Sequence, residues 1–543
     1  MSRKEDRKGA QAAVLFAAIL TLSMIGGCGG GAAETQGQSA APAPTESTGD
    51  TGVDTSLVLS ESEINTEFTD NEKKAAQVTA DAEEISLTQS DSESTVTITS
   101  GGTYVVRGSL TDGQIIVDTA DSEKVWIVLD NAEISCEESA AIYVKQADKV
   151  FLTLAEGSQN SLSGGASYTT QEEDQVDGVI FSKADLCING TGALTVTANY
   201  KHGIVSKDDL AVTGGSITID AVSQCLAAND EIRILDGAFT LTSQGKGIKA
   251  ENDEDMTLGN IYIAGGTFTL DTEDDALHAG GSVQIDGGTF TIDAGDDAVH
   301  AQLDTVINGG TLTISSSYEG LEGKRVTINQ GTIELYASDD GINAAASDSS
   351  EEIADVPDRA NSTRGGEGFG GHGGQLPGGP GSGGGDGGME NDADAYIVIN
   401  GGTVTVNALG DGIDSNGSLL VTGGTTCISG PSDGGNGSLD YNGAAAITGG
   451  TVIAAGSSGM AATFGNTSTQ CSFLQVLQST QAADTAIVLK DSQGEVLVSY
   501  TPLVNYECVV VSCPQLQQGE TYTLITGEES TEITLNSVTE KNE

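Results

Sequence analysis

From about residue 85 onward the chain alternates apolar and polar positions in short runs. Val283-Gln284-Ile285, Thr289-Phe290-Thr291-Ile292 and Ala298-Val299-His300 are typical, and glycines separate them. A period of two with β-branched residues predicts strands, because successive side chains of a strand point to opposite faces. Before residue 190 the runs are less regular, as in Val125-Trp126-Ile127-Val128-Leu129 and Val150-Phe151-Leu152-Thr153-Leu154. They predict earlier copies of the same kind of strand.

The runs also repeat at a fixed distance. Gly265-Gly266-Thr267-Phe268, Gly287-Gly288-Thr289-Phe290 and Gly309-Gly310-Thr311-Leu312 follow one another in steps of 22 residues, as do Gly401-Gly402-Thr403-Val404 and Gly423-Gly424-Thr425-Thr426. Self-similarity at this length indicates a solenoid. The leucine-asparagine ladder of leucine-rich repeats is absent. Three strands and three turns fill such a unit, which predicts an all-β chain: a right-handed parallel β-helix, about 22 residues per coil, over residues 76–468. Between Gly365 and Gly388 there are 15 glycines, so residues 346–394 read as a flexible loop extruded from one coil. It is not a phosphate-binding loop, since no GxxxxGK[ST] occurs. The repeat stops near residue 469, and runs such as Thr485-Ala486-Ile487-Val488-Leu489 predict a small C-terminal β cap domain over 469–543 that blocks edge pairing at the open end.

The ends set the expected compartment. Arg3, Lys4, Arg7 and Lys8 precede an apolar run, and Ile25-Gly26-Gly27-Cys28 follows it. That order is a lipoprotein signal peptide over 1–27, with acyl chains expected on Cys28. The run is short for a membrane span, which needs roughly 20 residues. Residues 28–75 read as a disordered tether. The protein is expected as a monomer on the extracellular face of the cell membrane, held there by lipid. The other seven cysteines are scattered and form no CxxC, so neither a disulfide framework nor a zinc site is expected from them. A net charge of −57 excludes a nucleic-acid binder, which would be repelled by phosphate, and favours cations, Ca2+ above all.

Those charges are patterned. Asp274-Asp275-Ala276-Leu277-His278, Asp296-Asp297-Ala298-Val299-His300, Tyr318-Glu319-Gly320-Leu321-Glu322, Asp339-Asp340-Gly341-Ile342-Asn343 and Gly410-Asp411-Gly412-Ile413-Asp414 align. One column is Asp275, Asp297, Glu319, Asp340 and Asp411. A second is His278, His300, Glu322, Asn343 and Asp414. Equivalent positions on adjacent coils lie roughly 4.8 Å apart, so stacked carboxylates repel, raise their pKa values or recruit a cation. Ca2+–oxygen bonds of about 2.3–2.6 Å let one ion bridge two coils. The candidate Ca2+ ligands are Asp274, Asp275, Asp296, Asp297, Glu319, Glu322, Asp339, Asp340, Asn343, Asp411 and Asp414. The bland alternative is that these aspartates only form tight corners. His278 and His300, stacked, can bind a transition metal but read more simply as a packed surface stripe.

The runs Gly203-Ile204-Val205-Ser206-Lys207-Asp208-Asp209-Leu210, Glu319-Gly320-Leu321-Glu322, Gly410-Asp411-Gly412-Ile413-Asp414-Ser415-Asn416-Gly417, Leu439-Asp440-Tyr441 and Gly456-Ser457-Ser458-Gly459-Met460-Ala461 occur in that order. Together they resemble a secreted bacterial carbohydrate-binding domain family with a calcium-bearing parallel β-helix. The resemblance spans residues 85–530. It implies a pectate-lyase-like fold and binding of plant cell-wall polysaccharide, acidic pectin-type or cellulosic. One departure stands out: Gln224-Cys225-Leu226 and Lys246-Gly247-Ile248 replace Asp-Gly-Ile, so the acidic ladder starts at Asp274.

Three functions remain open. A binding module would bridge an acidic glycan through ladder-bound Ca2+ and stack sugars on Tyr200, Tyr318, Tyr336 or Tyr441. A polysaccharide lyase would need a base, for which Lys249, Lys324 and Arg325 are the candidates. A surface adhesin or scaffold would use Ca2+ for stability alone.

Overall fold

A computed structural model of the chain describes residues 64–87, 94–169, 175–255, 257–345 and 391–542. All belong to one compact unit, Thr51–Glu543. The expected signal peptide, Cys28, the tether up to residue 63 and insertion residues 346–390 lie outside the described residues.

The described chain is almost entirely strand, with one short helix, Asp70–Lys73. Most strands join one large sheet whose pairing is parallel over nearly its whole length. Each strand pairs with its equivalent in the next repeat. Thr267 faces Thr289 and Thr289 faces Thr311, Leu277 faces Val299, and Val283 faces Thr305. The insertion does not break this register, because Ile342 pairs directly with Ile413. Parallel pairing in register puts like on like. Phe239, Phe268 and Phe290 stack face to face inside, with centroids 4.7 and 4.5 Å apart. In Thr267–Thr272 the alternation turns Phe268 and Leu270 inward and the threonines at 267 and 269 outward. Gly288 and Gly310 turn the chain at φ 105° and 89° between such strands, a left-handed conformation that glycine adopts without a side-chain penalty.

The parallel run ends at Thr451–Gly456, which pairs antiparallel with Tyr506–Ser512. That strand in turn pairs antiparallel with Ser472–Gln481. A separate antiparallel sheet is built from Val496–Tyr500, Ile487–Lys490, Thr521–Thr526 and Glu529–Thr534. It shares a second apolar core with Ile453, Phe473, Tyr506 and Val509. The last parallel strand is therefore covered rather than left as an open edge.

The end of the expected tether departs from the sequence reading. Residues 64–75 are built into the fold. Thr69 and Glu72 form a capping box on the helix, and Phe68 lies 6.2 Å from the Tyr262 ring and 5.2 Å from the Arg233 guanidinium. Glu72 is fully buried; its Oε1 accepts from Lys149 Nζ at 2.8 Å and Arg233 Nη2 at 3.3 Å. Its backbone carbonyl accepts from Thr213 Oγ1 at 2.6 Å and Asn189 Nδ2 at 3.3 Å. The partners come from four successive repeats, so a residue spacing of over 70 positions hides the contact from any local pattern. Burial pushes the Glu72 pKa up. Hydrogen bonds from Lys149 and the Thr69 amide, with the Lys149 and Arg233 charges, outweigh burial and bring it down to about 2.

Glu72→Ala leaves two buried cations without their acid. It is expected to lower unfolding free energy by about 3 kcal/mol at neutral pH, measured by urea denaturation. Because the folded-state pKa is depressed, the Glu72 contribution is fully present above about pH 4.5 and fades as pH falls toward 2. The gap between wild type and variant is expected to close over that range. A gap that does not change with pH would contradict the assignment.

Candidate cation-binding ladder

The strand pairings fix the second column. Lys249 faces His278, His278 faces His300, His300 faces Glu322, Glu322 faces Asn343, Asn343 faces Asp414, and Asp414 faces Asp440. In earlier repeats the same column is Tyr143, Phe181, Val205 and Ala227. The line thus changes from apolar to ionic at Lys249.

The first column is tied together by its own carboxylates. Asp275 Oδ1 accepts from the Asp297 amide at 3.0 Å, and Asp297 Oδ1 from the Glu319 amide at 3.1 Å. Asp340 Oδ1 accepts from the Asp411 amide at 2.6 Å, and Asp411 Oδ1 from the Gly437 amide. One oxygen of each acid therefore satisfies the corner of the next repeat. For Asp275 and Asp297 the second oxygen faces the imidazole column: Oδ2 lies 2.8 Å from His278 Nδ1 and 3.2 Å from His300 Nδ1, respectively. The corner-forming and cation-binding readings are two halves of the same side chain.

The ladder is not chemically uniform. At its head Lys246, one repeat before Asp275 in the first column, places Nζ 2.7 Å from Asp275 Oδ2 and 3.2 Å from Asp274 Oδ1. Asp274, Asp275 and Asp296 offer oxygens within 4.8 Å of one another, but a lysine already supplies the positive charge there. This corrects the sequence reading, which took Lys246 as a break in the ladder and missed it as the ladder's first cation. In the middle, His278 is fully buried and stacks on His300 with centroids 4.8 Å apart. The expected surface stripe is thus interior at His278 and only partly exposed at His300. His300 Nδ1 also meets Glu322 Oε2. Below them, Glu319 accepts from Asn343 Nδ2 at 3.1 and 2.9 Å. Asn343 Oδ1 is buried with no hydrogen-bond partner among the described residues.

At the tail, Asp340, Asp411 and Asp414 bring three oxygens within 4.8 Å. Burial raises all three pKa values, and mutual repulsion adds to it, with Asp440 contributing: Asp340 and Asp411 reach about 7, Asp414 about 6. Burial and the Glu322 and Asp297 charges push Glu319 to about 9. Asp339 stands aside from this group and interacts with the Tyr318 hydroxyl. A further triad on another side, Asp185, Asp208 and Asp209, was not anticipated. Its only sequence signal was the Asp208-Asp209 pair within a run singled out for other reasons.

Of the four candidate sugar-stacking residues, Tyr318 and Tyr336 are exposed, at 47% and 43%. Tyr200 is half-buried beside Tyr168, centroids 5.0 Å apart, and Tyr441 is half-buried with its hydroxyl donating to the Thr463 carbonyl at 2.5 Å. The three candidate bases are each held by acids. Lys249 pairs with Glu251, Lys324 reaches Asp392 and Asp394 at 3.6 and 3.7 Å, and Arg325 Nη2 donates to Asp304 Oδ2 at 2.7 Å.

Residues 92–352 match the family described as "Carbohydrate-binding domain-containing protein". Over 211 residues, 38% of the chain, the sequence is 35% identical to a carbohydrate-binding domain-containing protein of Acetivibrio thermocellus. The chain covers 64% of that relative's length. It is also similar to the solved structure of a polysaccharide lyase-like protein from C. thermocellum, a gadolinium derivative. The identity is 34%, with 41% of this chain and 88% of that one covered, at a TM-score of 0.38.

Lys246→Met is expected to unpair Asp274 and Asp275 and to lower unfolding free energy by about 3 kcal/mol in chelator. Added Ca2+ is expected to restore part of the loss in the variant. Denaturation curves with and without Ca2+ measure both, and an unchanged midpoint would refute the role of Lys246.

Proposed function

We propose that this chain is a monomeric cell-surface lipoprotein, anchored through Cys28, that binds acidic plant cell-wall polysaccharide of the pectin or polygalacturonate type, or a cellulosic chain. Its body is a right-handed parallel β-helix of about 22 residues per coil, and Ca2+ on the stacked acids bridges protein to glycan. The observation that carries the reading is the Asp340–Asp411–Asp414 triad. It is an all-oxygen donor set within 4.8 Å, with pKa values raised by burial and by one another. Ca2+ takes oxygen ligands and keeps positions open for further oxygens. It removes the repulsion between the three acids and leaves charge to attract a uronate. The exposed rings of Tyr318 and Tyr336, which precede the Glu319 and Asp339 corners in sequence, offer faces for sugar stacking. The carbohydrate-binding family match over residues 92–352 supports the ligand class.

Binding is favoured over β-elimination because Lys249, Lys324 and Arg325 are each engaged by carboxylates. A base must be free to take a proton from its substrate.

Polygalacturonate mixed with the protein tests both. Retention is expected with Ca2+ and loss is expected in chelator, without absorbance from unsaturated product. Asp411→Asn is expected to weaken Ca2+ binding by at least about tenfold, because one ligand charge is lost. Binding that ignores both chelator and Asp411→Asn would overturn the reading, and unsaturated product would make the protein a lyase. The pH dependence follows from the raised carboxyl pKa values: below about pH 6 the triad holds protons that Ca2+ must displace. Ca2+ affinity is expected to rise as pH increases through about 7, read by calorimetry.

A further inference from the structure

We infer that the middle of the ladder is a separate site for a transition-metal dication of the zinc class, held by Asp297, His300 and Glu322, with His278 of the preceding repeat offering the fourth ligand. The donor atoms of Asp297, His300 and Glu322 all lie within 4.8 Å of one another, as do those of Asp275, His278 and His300. His300 belongs to both groups. Ligand atoms of a tetrahedral zinc ion stand about 3.4 Å apart, so side-chain adjustment on the order of an ångström closes either group around one ion.

The arrangement at His300 itself points to a cation. A neutral or protonated imidazole offers one hydrogen at Nδ1. Two carboxylates from different repeats converge on that one atom: Asp297 Oδ2 at 3.2 Å and, closer still, Glu322 Oε2. One hydrogen cannot serve both well, whereas a metal at that point can. The surroundings carry an excess of negative charge. Asp275 is already claimed by Lys246 at 2.7 Å, while Asp297, Glu319 and Glu322 have no lysine or arginine ion partner among the described residues. His278, His300 and Glu322 are all largely buried, with side chains 1%, 15% and 14% exposed, so the group is a built interior site.

Imidazole nitrogen separates this site from the tail of the ladder. Ca2+ is bound by oxygen, whereas imidazole suits zinc, copper, nickel and iron. The inference does not rest on glycan binding or on Ca2+ at Asp340, Asp411 and Asp414. An ion here would clamp successive repeats together and stabilise the ionic part of the column below Lys249.

The full chain, stripped with chelator and kept in excess Ca2+, is titrated with Zn2+ by calorimetry. One tight site is expected to survive the Ca2+, and His300→Gln is expected to weaken it on the order of 100-fold. Because a buried substitution can prevent folding, a second measurement leaves the site intact. The chain has four histidines, His202, His278, His300 and His372. In a His202→Gln, His372→Gln background only the stacked pair remains, and Cu2+ bound there is expected to give nitrogen hyperfine splitting in its electron paramagnetic resonance spectrum. Zn2+ binding that Ca2+ abolishes, or that His300→Gln leaves unchanged, overturns the proposal. So does a Cu2+ spectrum in that background without nitrogen coupling.

Discussion

Parallel stacking in register sets chemically equal positions of successive repeats on one line about 4.8 Å apart. For apolar residues this is favourable, and Phe239, Phe268 and Phe290 use it in the core. For acids it concentrates charge. Hydrogen bonds from a backbone amide to the acid of the repeat before it make such a line tolerable: the Asp297 amide to Asp275, Glu319 to Asp297, Asp411 to Asp340 and Gly437 to Asp411. One oxygen is committed to holding the corner. The second oxygen is left to meet whatever the neighbouring column presents.

What it meets differs along the line. A lysine closes the head, two imidazoles occupy the middle, and three aspartates crowd the tail without a lysine or arginine ion partner among the described residues. A repeating backbone thus presents a graded series of oxygen and nitrogen donors. The grading arises from single substitutions in one column, from Lys249 through His278, His300, Glu322 and Asn343 to Asp414.

A second ionic line runs on another ladder of the sheet. Lys149 pairs in register with Asp185, and Asp209 with Glu231. Here a residue from elsewhere in the chain joins it: Glu72, buried on a one-turn helix, meets Lys149 and Arg233. One ionic line is held by neighbouring repeats alone, the other also by a segment folded back from the N-terminal side. Both make polar groups part of the fold's stability, since a buried charge without its partner costs several kcal/mol.

The alternating runs and the 22-residue spacing were enough to read an all-β chain with strands paired repeat on repeat, because strand period and repeat length are local properties of sequence. The same spacing identified both columns of the ladder, and the pairings of His278, His300, Glu322, Asn343 and Asp414 match it residue for residue. What sequence could not supply was direction and depth. Whether Lys246 points at Asp275, whether His278 is outside or inside, and which oxygen of Asp297 faces an imidazole depend on side-chain rotamers and on what covers each corner. Residues 64–75 read as tether because they are short, polar and unpatterned. Their order comes from Lys149, Asn189, Thr213 and Arg233, which only the stacking of distant repeats brings to one place.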